Sequence, residues 1–410
     1  MRVLCSVTGS PSHARAMLPL ARALAEAGHE VLVAAPSALE SVFANEPVRV
    51  RSVIPDMVEQ LRHRMEQGGS PVPPDFDPAS FDMRQMAVMM VAGPQVTENY
   101  RLLLPLAQEF GPDLVLRDGG ELAVSLVAET LGIPHLSVPS GMGNAVDPAL
   151  VLPALNERRA EVGLPTSDDP YSIYRYGRID CMPPRFSFAV DPHPEPFAYR
   201  QPATVARDEV LPEWLAELPA DRPLVIAAIG TALPLVQSLN LGVDQLPPQL
   251  AGLFNTERTM AAIVAGLSAV DCTAVVATAG FPVPEELVGD NVRLVDRFPQ
   301  PLLLQCAQLF LTHGGYNSVR ESVGAGVPMA VLPQFGDQPH NADRVQELGL
   351  GARVAEASAE EIARTCTRLL ADASVTARAR QAQRQMLALP PIQAAVADLE
   401  RLCAGQVAAV

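Results

Sequence analysis

The chain has 410 residues with 46 acidic and 30 basic side chains, a formal charge of −16 at pH 7. At about 150 residues per domain this length implies two or three domains, and 48% hydrophobic against 19% charged residues excludes a disordered chain. The acidic surplus excludes general electrostatic binding to nucleic acid or an anionic membrane, because neutralising phosphate requires cations.

All 30 basic residues are arginine, a sign of GC-rich codon usage, and a bacterial source is expected. The opening MRVLCSVTG reads at once as a strand, without the basic and apolar regions of a secretory signal. The longest apolar run, Met260 to Val270, is broken by Asp271 well short of the ~18–20 residues of a membrane span. A soluble, cytoplasmic chain is expected, as a monomer or homodimer. Its six cysteines lie far apart with no CxxC pair, so buried thiols are expected rather than disulfides or a zinc site.

Short apolar strands alternate with amphipathic helices, the pattern of parallel βαβ units. In the first half the pattern predicts strands at Arg2–Thr8, Glu30–Ala34, Asp113–Leu116 and Pro134–Val138, with helices at Ala14–Ala27 and Glu121–Leu131. An irregular insertion, Ile54 to Pro94, contains PVPPDFDP followed by MRQMAVMM. Met86, Met89 and Met90 are expected there as an adaptable apolar wall, with a core-packed helix as the alternative. The proline-rich stretch from Asp191 to Pro223 reads as a linker.

The second half restarts with strands Leu224–Ile229, Thr273–Thr278, Val292–Val295, Leu309–Thr312 and Pro328–Leu332, and helices Glu257–Val270, Asn317–Gly324 and His340–Gly349. Ser358 with Glu361 spells a capping box, and a last helix follows Pro390-Pro391. The expected units are 1–205, 206–385 and a terminal helix 386–410. Two such open sheets, facing each other, are expected to bind ligands in the cleft at their strand carboxyl ends.

The most informative segment runs from Arg297 to Asp343. Its strand ends at Thr312 and turns through His313-Gly314-Gly315-Tyr316-Asn317-Ser318 into a helix. A glycine turn at a helix N-terminus presents backbone N–H groups and the positive end of the dipole to a diphosphate. His313, Asn317 and Ser318 can add side-chain hydrogen bonds, with the histidine and the helix supplying the neutralisation, so no metal or other cofactor is expected. Glu321, one turn deeper, can accept from both hydroxyls of a ribose. Asp337-Gln338, in the loop after the next strand, suit the hydroxyls of a sugar.

The pattern RFPQ…HGGYNS…E…GVP…DQ…N resembles the donor-binding signature of the GT-B glycosyltransferases of glycosyltransferase family 1, which includes plant secondary-metabolite and bacterial macrolide and polyketide enzymes. The resemblance covers nearly the whole chain and is strongest from Arg297 to Gly351. It implies the GT-B fold, two Rossmann-like doubly wound parallel-sheet domains. It also implies that His313, Gly315, Asn317 and Ser318 take the diphosphate, Glu321 the ribose, and Asp337 and Gln338 the transferred sugar. Thr231 matches the small hydroxyl residue near the phosphates, and Gln300 the glutamine of the signature. Arg297 departs from the family, standing where members often carry the tryptophan that stacks on the base; a guanidinium plane can stack there too.

Glu321 resembles the UDP-sugar users, whereas many bacterial dTDP-deoxysugar enzymes have threonine at that place. Asp337-Gln338 resembles glucose-type specificity. The implied activity is inverting transfer of a hexose from UDP-glucose to a hydroxyl of a hydrophobic small molecule, with a dTDP-deoxysugar transferase as the alternative. A nucleotide-sugar 2-epimerase of the same fold would need further acid/base carboxylates.

After the first strand, His13 stands at the turn into a helix, where a histidine can take the proton of an attacking hydroxyl. Asp118 follows the strand DLVLR and can fix the ring's tautomer from its other nitrogen. The family carries its catalytic dyad at these two places, with Ser12-His13 replacing the usual Gly-His. Ser140 is expected, by the same resemblance, to touch the sugar or the acceptor. Asp75-Phe76-Asp77 spells a metal-binding DxD but lies between prolines rather than at a strand end. Neither GxGxxG after the first strand nor GxxxxGK[ST] occurs, which disfavours a nicotinamide dehydrogenase or P-loop enzyme.

Overall fold

The computed structural model describes residues 1–56, 83–191, 193–203, 209–230 and 256–406. The chain divides into two compact units, Met1–Gln201 with Leu389–Val410, and Pro202–Ala388. In the first unit β1 (Arg2–Ser6), β2 (Glu30–Ala35), β3 (Arg49–Ser52), β4 (Leu114–Arg117) and β5 (His135–Ser137) form one parallel sheet in the order β3-β2-β1-β4-β5. Helices at Pro11–Glu26, Gln95–Phe110 and Ala123–Leu131 connect them. Strands β1, β2, β4 and β5 are almost wholly buried, which accounts for their continuous apolar runs.

A two-stranded pair, β6 (Ile179–Asp180) with β7 (Phe197–Ala198), follows. The second unit repeats the architecture with β8 (Leu224–Ala228), β9 (Thr273–Ala277), β10 (Val292–Val295), β11 (Leu309–Thr312), β12 (Met329–Val331) and β13 (Gly351–Arg353), all parallel in the order β10-β9-β8-β11-β12-β13. In both sheets the strand order reverses between the first strand and its neighbour across the sheet, β1 beside β4 and β8 beside β11. That reversal leaves a crevice at the strands' carboxyl ends, where open α/β sheets bind ligands.

Several elements lie outside the apolar pattern. Helices Gln95–Phe110 and Pro148–Glu161 each hold an internal proline, Pro105 and Pro153, and continue through it. Strand β3 sits at a sheet edge and carries two arginines, in keeping with how edges avoid further pairing. Within the stretch expected to be irregular, Met83–Ala92 is a helix. Its Val91 and Ala92 are buried while Met89 and Met90 are 56% and 49% exposed, so these two methionines are not core residues.

Ser358 caps the helix Ala359–Ala371 by accepting from the Glu361 N–H, but the capping box is not closed: the Glu361 carboxylate bonds Arg364 and Thr365, while the Ser358 N–H donates to the Glu356 carbonyl. The last helix, Ile392–Cys403, packs on Pro11–Glu26 within the first unit. It is tied there by the Tyr199 hydroxyl donating to Asp398 and by the Arg200 N–H donating to the Pro390 carbonyl at 2.8 Å. All six cysteines are free thiols; four are buried, whereas Cys306 is exposed and Cys403 half-buried. Among the described residues no helix is long and apolar enough to cross a membrane.

Candidate active site

The first cluster sits where β1 and β4 part. Ser6 pairs with Arg117 in the sheet register, and the Asp118 N–H donates to the Ser6 carbonyl at 2.9 Å. This fixes Asp118 one residue beyond β4. Pro11 opens the helix after β1, its preset φ suiting the first helical position, and His13 stands in the first turn. The sheet thereby brings the two residues together: His13 Nδ1 lies 3.1 Å from Asp118 Oδ1, with the imidazole a quarter exposed and the carboxylate 2% exposed.

Burial opposes ionisation of Asp118. The charge and hydrogen bond of His13, a hydrogen bond from Ser140 and one from the Gly120 N–H outweigh it and hold the carboxyl below the usual carboxylate range. Asp118 does not cap the following helix. Glu121 does so, accepting from the N–H groups of Ala123 and Val124 at 3.0 and 3.2 Å.

Ser140, expected to touch sugar or acceptor, is buried beside the Asp118 carboxylate, whose ionised form it favours. It also caps the short helix Gly141–Ala145 by accepting from the Gly143 N–H at 3.4 Å. Beneath the site Arg117 is fully buried and shapes the loop, donating to the carbonyls of Gly119 and Ile173, each at 2.9 Å.

The second cluster lies in the second unit where β8 and β11 part. Gly315 is the N-cap of helix Tyr316–Ala325, whose first-turn N–H groups its own carbonyls cannot reach. The His313 ring is packed between two glycines: a Cβ on Gly230 would lie 2.4 Å from its Nε2, and one on Gly315 2.5 Å. Burial pushes its pKa down to about 4, partly offset by the nearby backbone of Ala228. His313 is therefore neutral near pH 7.

A buried cation that the sequence pattern did not single out, Arg320, stands one turn further on. Its Nε donates to Asn317 Oδ1 at 2.8 Å, and its Nη2 lies 3.8 Å from Glu321 Oε1. Gln300 Nε2 donates to Glu321 Oε2 at 2.7 Å and to Ser318 Oγ at 3.3 Å, so three of the expected donor residues converge. Arg297 is exposed.

Asp337 is the N-cap residue of helix Gln338–Glu347 and accepts from Asn341. Gln338 is 3% exposed and its Oε1 accepts from the N–H groups of Gln334 and Phe335 at 2.8 and 3.2 Å. Its oxygen thereby braces the loop. Thr231 and Asp75-Phe76-Asp77 lie outside the described residues, and Met86 lies in helix Met83–Ala92. Among the described residues no group of three or more His, Cys, Asp or Glu side chains could hold a metal ion.

Residues 261–402 match the family of the erythromycin biosynthesis protein CIII-like C-terminal domain. Over 98% of its length the chain is 25% identical to aclacinomycin-T 2-deoxy-L-fucose transferase of Streptomyces galilaeus, covering 96% of that protein. It is 29% identical to L-demethylnoviosyl transferase of Streptomyces niveus over 86% of this chain and 84% of that one. The chain is a homologue of the macrolide and polyketide glycosyltransferases. Its fold is GT-B, as in the glycosyltransferase SsfS6 of Streptomyces sp. SF2575, solved with thymidine diphosphate, which superposes with a TM-score of 0.71 at 24% identity over 98% of this chain and 99% of that one. For this glycosyltransferase homologue the two clusters lie at corresponding places, each following the first and fourth strands of its own sheet.

Proposed function

We propose that the protein is an inverting, metal-independent glycosyltransferase that moves a hexose from a nucleoside diphosphate sugar to a hydroxyl of an apolar natural product. The observation that carries this reading is the His13 Nδ1 to Asp118 Oδ1 contact of 3.1 Å onto a buried carboxylate. The tautomer that donates from Nδ1 carries its basic lone pair on Nε2, and Asp118 stabilises the imidazolium that forms. As the acceptor oxygen attacks the anomeric carbon its proton passes to Nε2, the bond to the diphosphate breaks, and one displacement inverts the centre. The helix N-terminus at Asn317 and Ser318 meets the departing charge, with His313 as a neutral hydrogen-bond partner. Met89 and Met90 offer exposed apolar surface for an acceptor.

For the donor, Glu321 held by Gln300 supports a ribose contact and hence a UDP-sugar, with Asp337 reading glucose. A second reading, a dTDP-deoxysugar, is supported by the relative named as a 2-deoxy-L-fucose transferase and by the thymidine diphosphate in SsfS6. Calorimetric titration with UDP, dTDP, GDP and NAD in the presence of EDTA separates them. Tightest binding of UDP supports the first reading and of dTDP the second, while failure of every nucleotide to bind would overturn both. His13→Ala is expected to bind donor and lose turnover; wild-type turnover in that variant would remove His13 as the base.

A further inference from the structure

Asn341 lies in helix Gln338–Glu347, one turn past Asp337, with no exposed surface. Its side-chain nitrogen donates 2.8 Å to the carbonyl of Gly314 and 2.8 Å to Asp337 Oδ2, so both amide hydrogens are engaged. The two acceptors belong to different loops. Gly314 is in the turn after β11, at φ +86°, where a Cβ would lie 2.5 Å from Val331 Cγ1. Asp337 is in the loop after β12. The Asn341 N–H also donates to the Asp337 carbonyl at 3.0 Å, closing the first helical turn.

We propose that Asn341 is a positioning residue that ties the diphosphate turn to the sugar-reading carboxylate, so that Asp337 meets the sugar in one fixed orientation. The proposal rests on the reading that Asp337 contacts the transferred sugar. A carboxylate held at Oδ2 has restricted rotation before substrate arrives, and the bond is strengthened by the acceptor's charge. Its anchor is the backbone of the turn that receives the diphosphate. Errors in that turn and in the sugar contact are therefore coupled through one amide.

The test is the preference between the glucose and galactose donors of the favoured nucleotide, read as a ratio of kcat/KM, with binding of the nucleoside diphosphate measured beside it. Asn341→Asp keeps the shape and removes both donors. It is expected to erode the preference about tenfold, as Asp337→Ala does, and the double variant to erode it no further. A purely structural role would weaken both epimers and the nucleoside diphosphate alike and leave the ratio unchanged, which would overturn the proposal. Erosion by Asp337→Ala with an intact ratio in Asn341→Asp would overturn it while sparing the Asp337 reading. An intact ratio in Asp337→Ala would remove that reading and the proposal together. If the buried carboxylate of Asn341→Asp prevents folding, Asn341→Ser, with a single hydroxyl donor, makes the same comparison.

Discussion

Gly315 approaches His313 so closely that a Cβ on it would stand 2.5 Å from Nε2 of the imidazole. At φ −58° Gly315 has backbone dihedrals open to any residue, so it is the ring and not the chain that requires glycine there. Gly315→Ala must displace His313 or the helix N-terminus, an overpacking that costs about 1–3 kcal/mol. Binding of the nucleoside diphosphate is expected to weaken about tenfold or more, with a melting temperature lowered by a few degrees. Calorimetry on the folded variant measures this, and wild-type affinity would show that the His313 turn does not hold the diphosphate. Gly230→Ala adds strain from φ +79° to the same clash and is expected to be worse.

The Ser140 hydroxyl separates two roles for the loop after β5. It lies where it favours the ionised Asp118 carboxylate, and it accepts from the Gly143 N–H. If its work is done through Asp118, Ser140→Ala lowers kcat about ten- to a hundredfold, the worth of one hydrogen bond to a charged group, and leaves the KM of the acceptor unchanged. A raised acceptor KM with unchanged kcat would instead make Ser140 a contact for the acceptor. Asp118→Asn, which removes the charge that favours the imidazolium, is expected to lower kcat further.

What the sequence makes legible here follows from what is local in it. The βαβ alternation, the glycine turn and the residues after strand ends are contiguous signals, and β10 and β11 run from Val292 to Val295 and from Leu309 to Thr312 as the pattern predicts. Helices Gln95–Phe110 and Pro148–Glu161 stay hidden because an internal proline reads as a break, although a packed helix tolerates the lost hydrogen bond. The edge strand β3, with its arginines, has no apolar run to announce it. Within the site, identities are legible and partnerships are not. Gln300 meets Glu321 across 21 positions, and Ser140 meets Asp118 from another loop. Nor does spacing reveal that His313 is buried enough to lose its charge.

His135, on β5, gives a pH dependence whose sign can be fixed. It is 2% exposed, its Nδ1 has no hydrogen-bond partner, and its ring meets Tyr176 edge-on at 6.0 Å. Burial first, then the charges of Arg117, Arg159 and Arg175, push its pKa from 6.5 down to about 3. Between those values the unfolded chain binds the proton and the folded one does not, so stability falls as pH is lowered from about 6.5 toward 3, by up to about 1.4 kcal/mol per pH unit. Buried His313, at about 4, acts with the same sign. His135→Leu removes an unpartnered polar atom from the core and is expected to equal or exceed wild-type stability at pH 7 to 8. Urea unfolding across pH 4 to 7.5 should then show a shallower acid loss in the variant than in wild type. Parallel curves would mean that His135 is protonated in the folded protein as readily as in the unfolded chain.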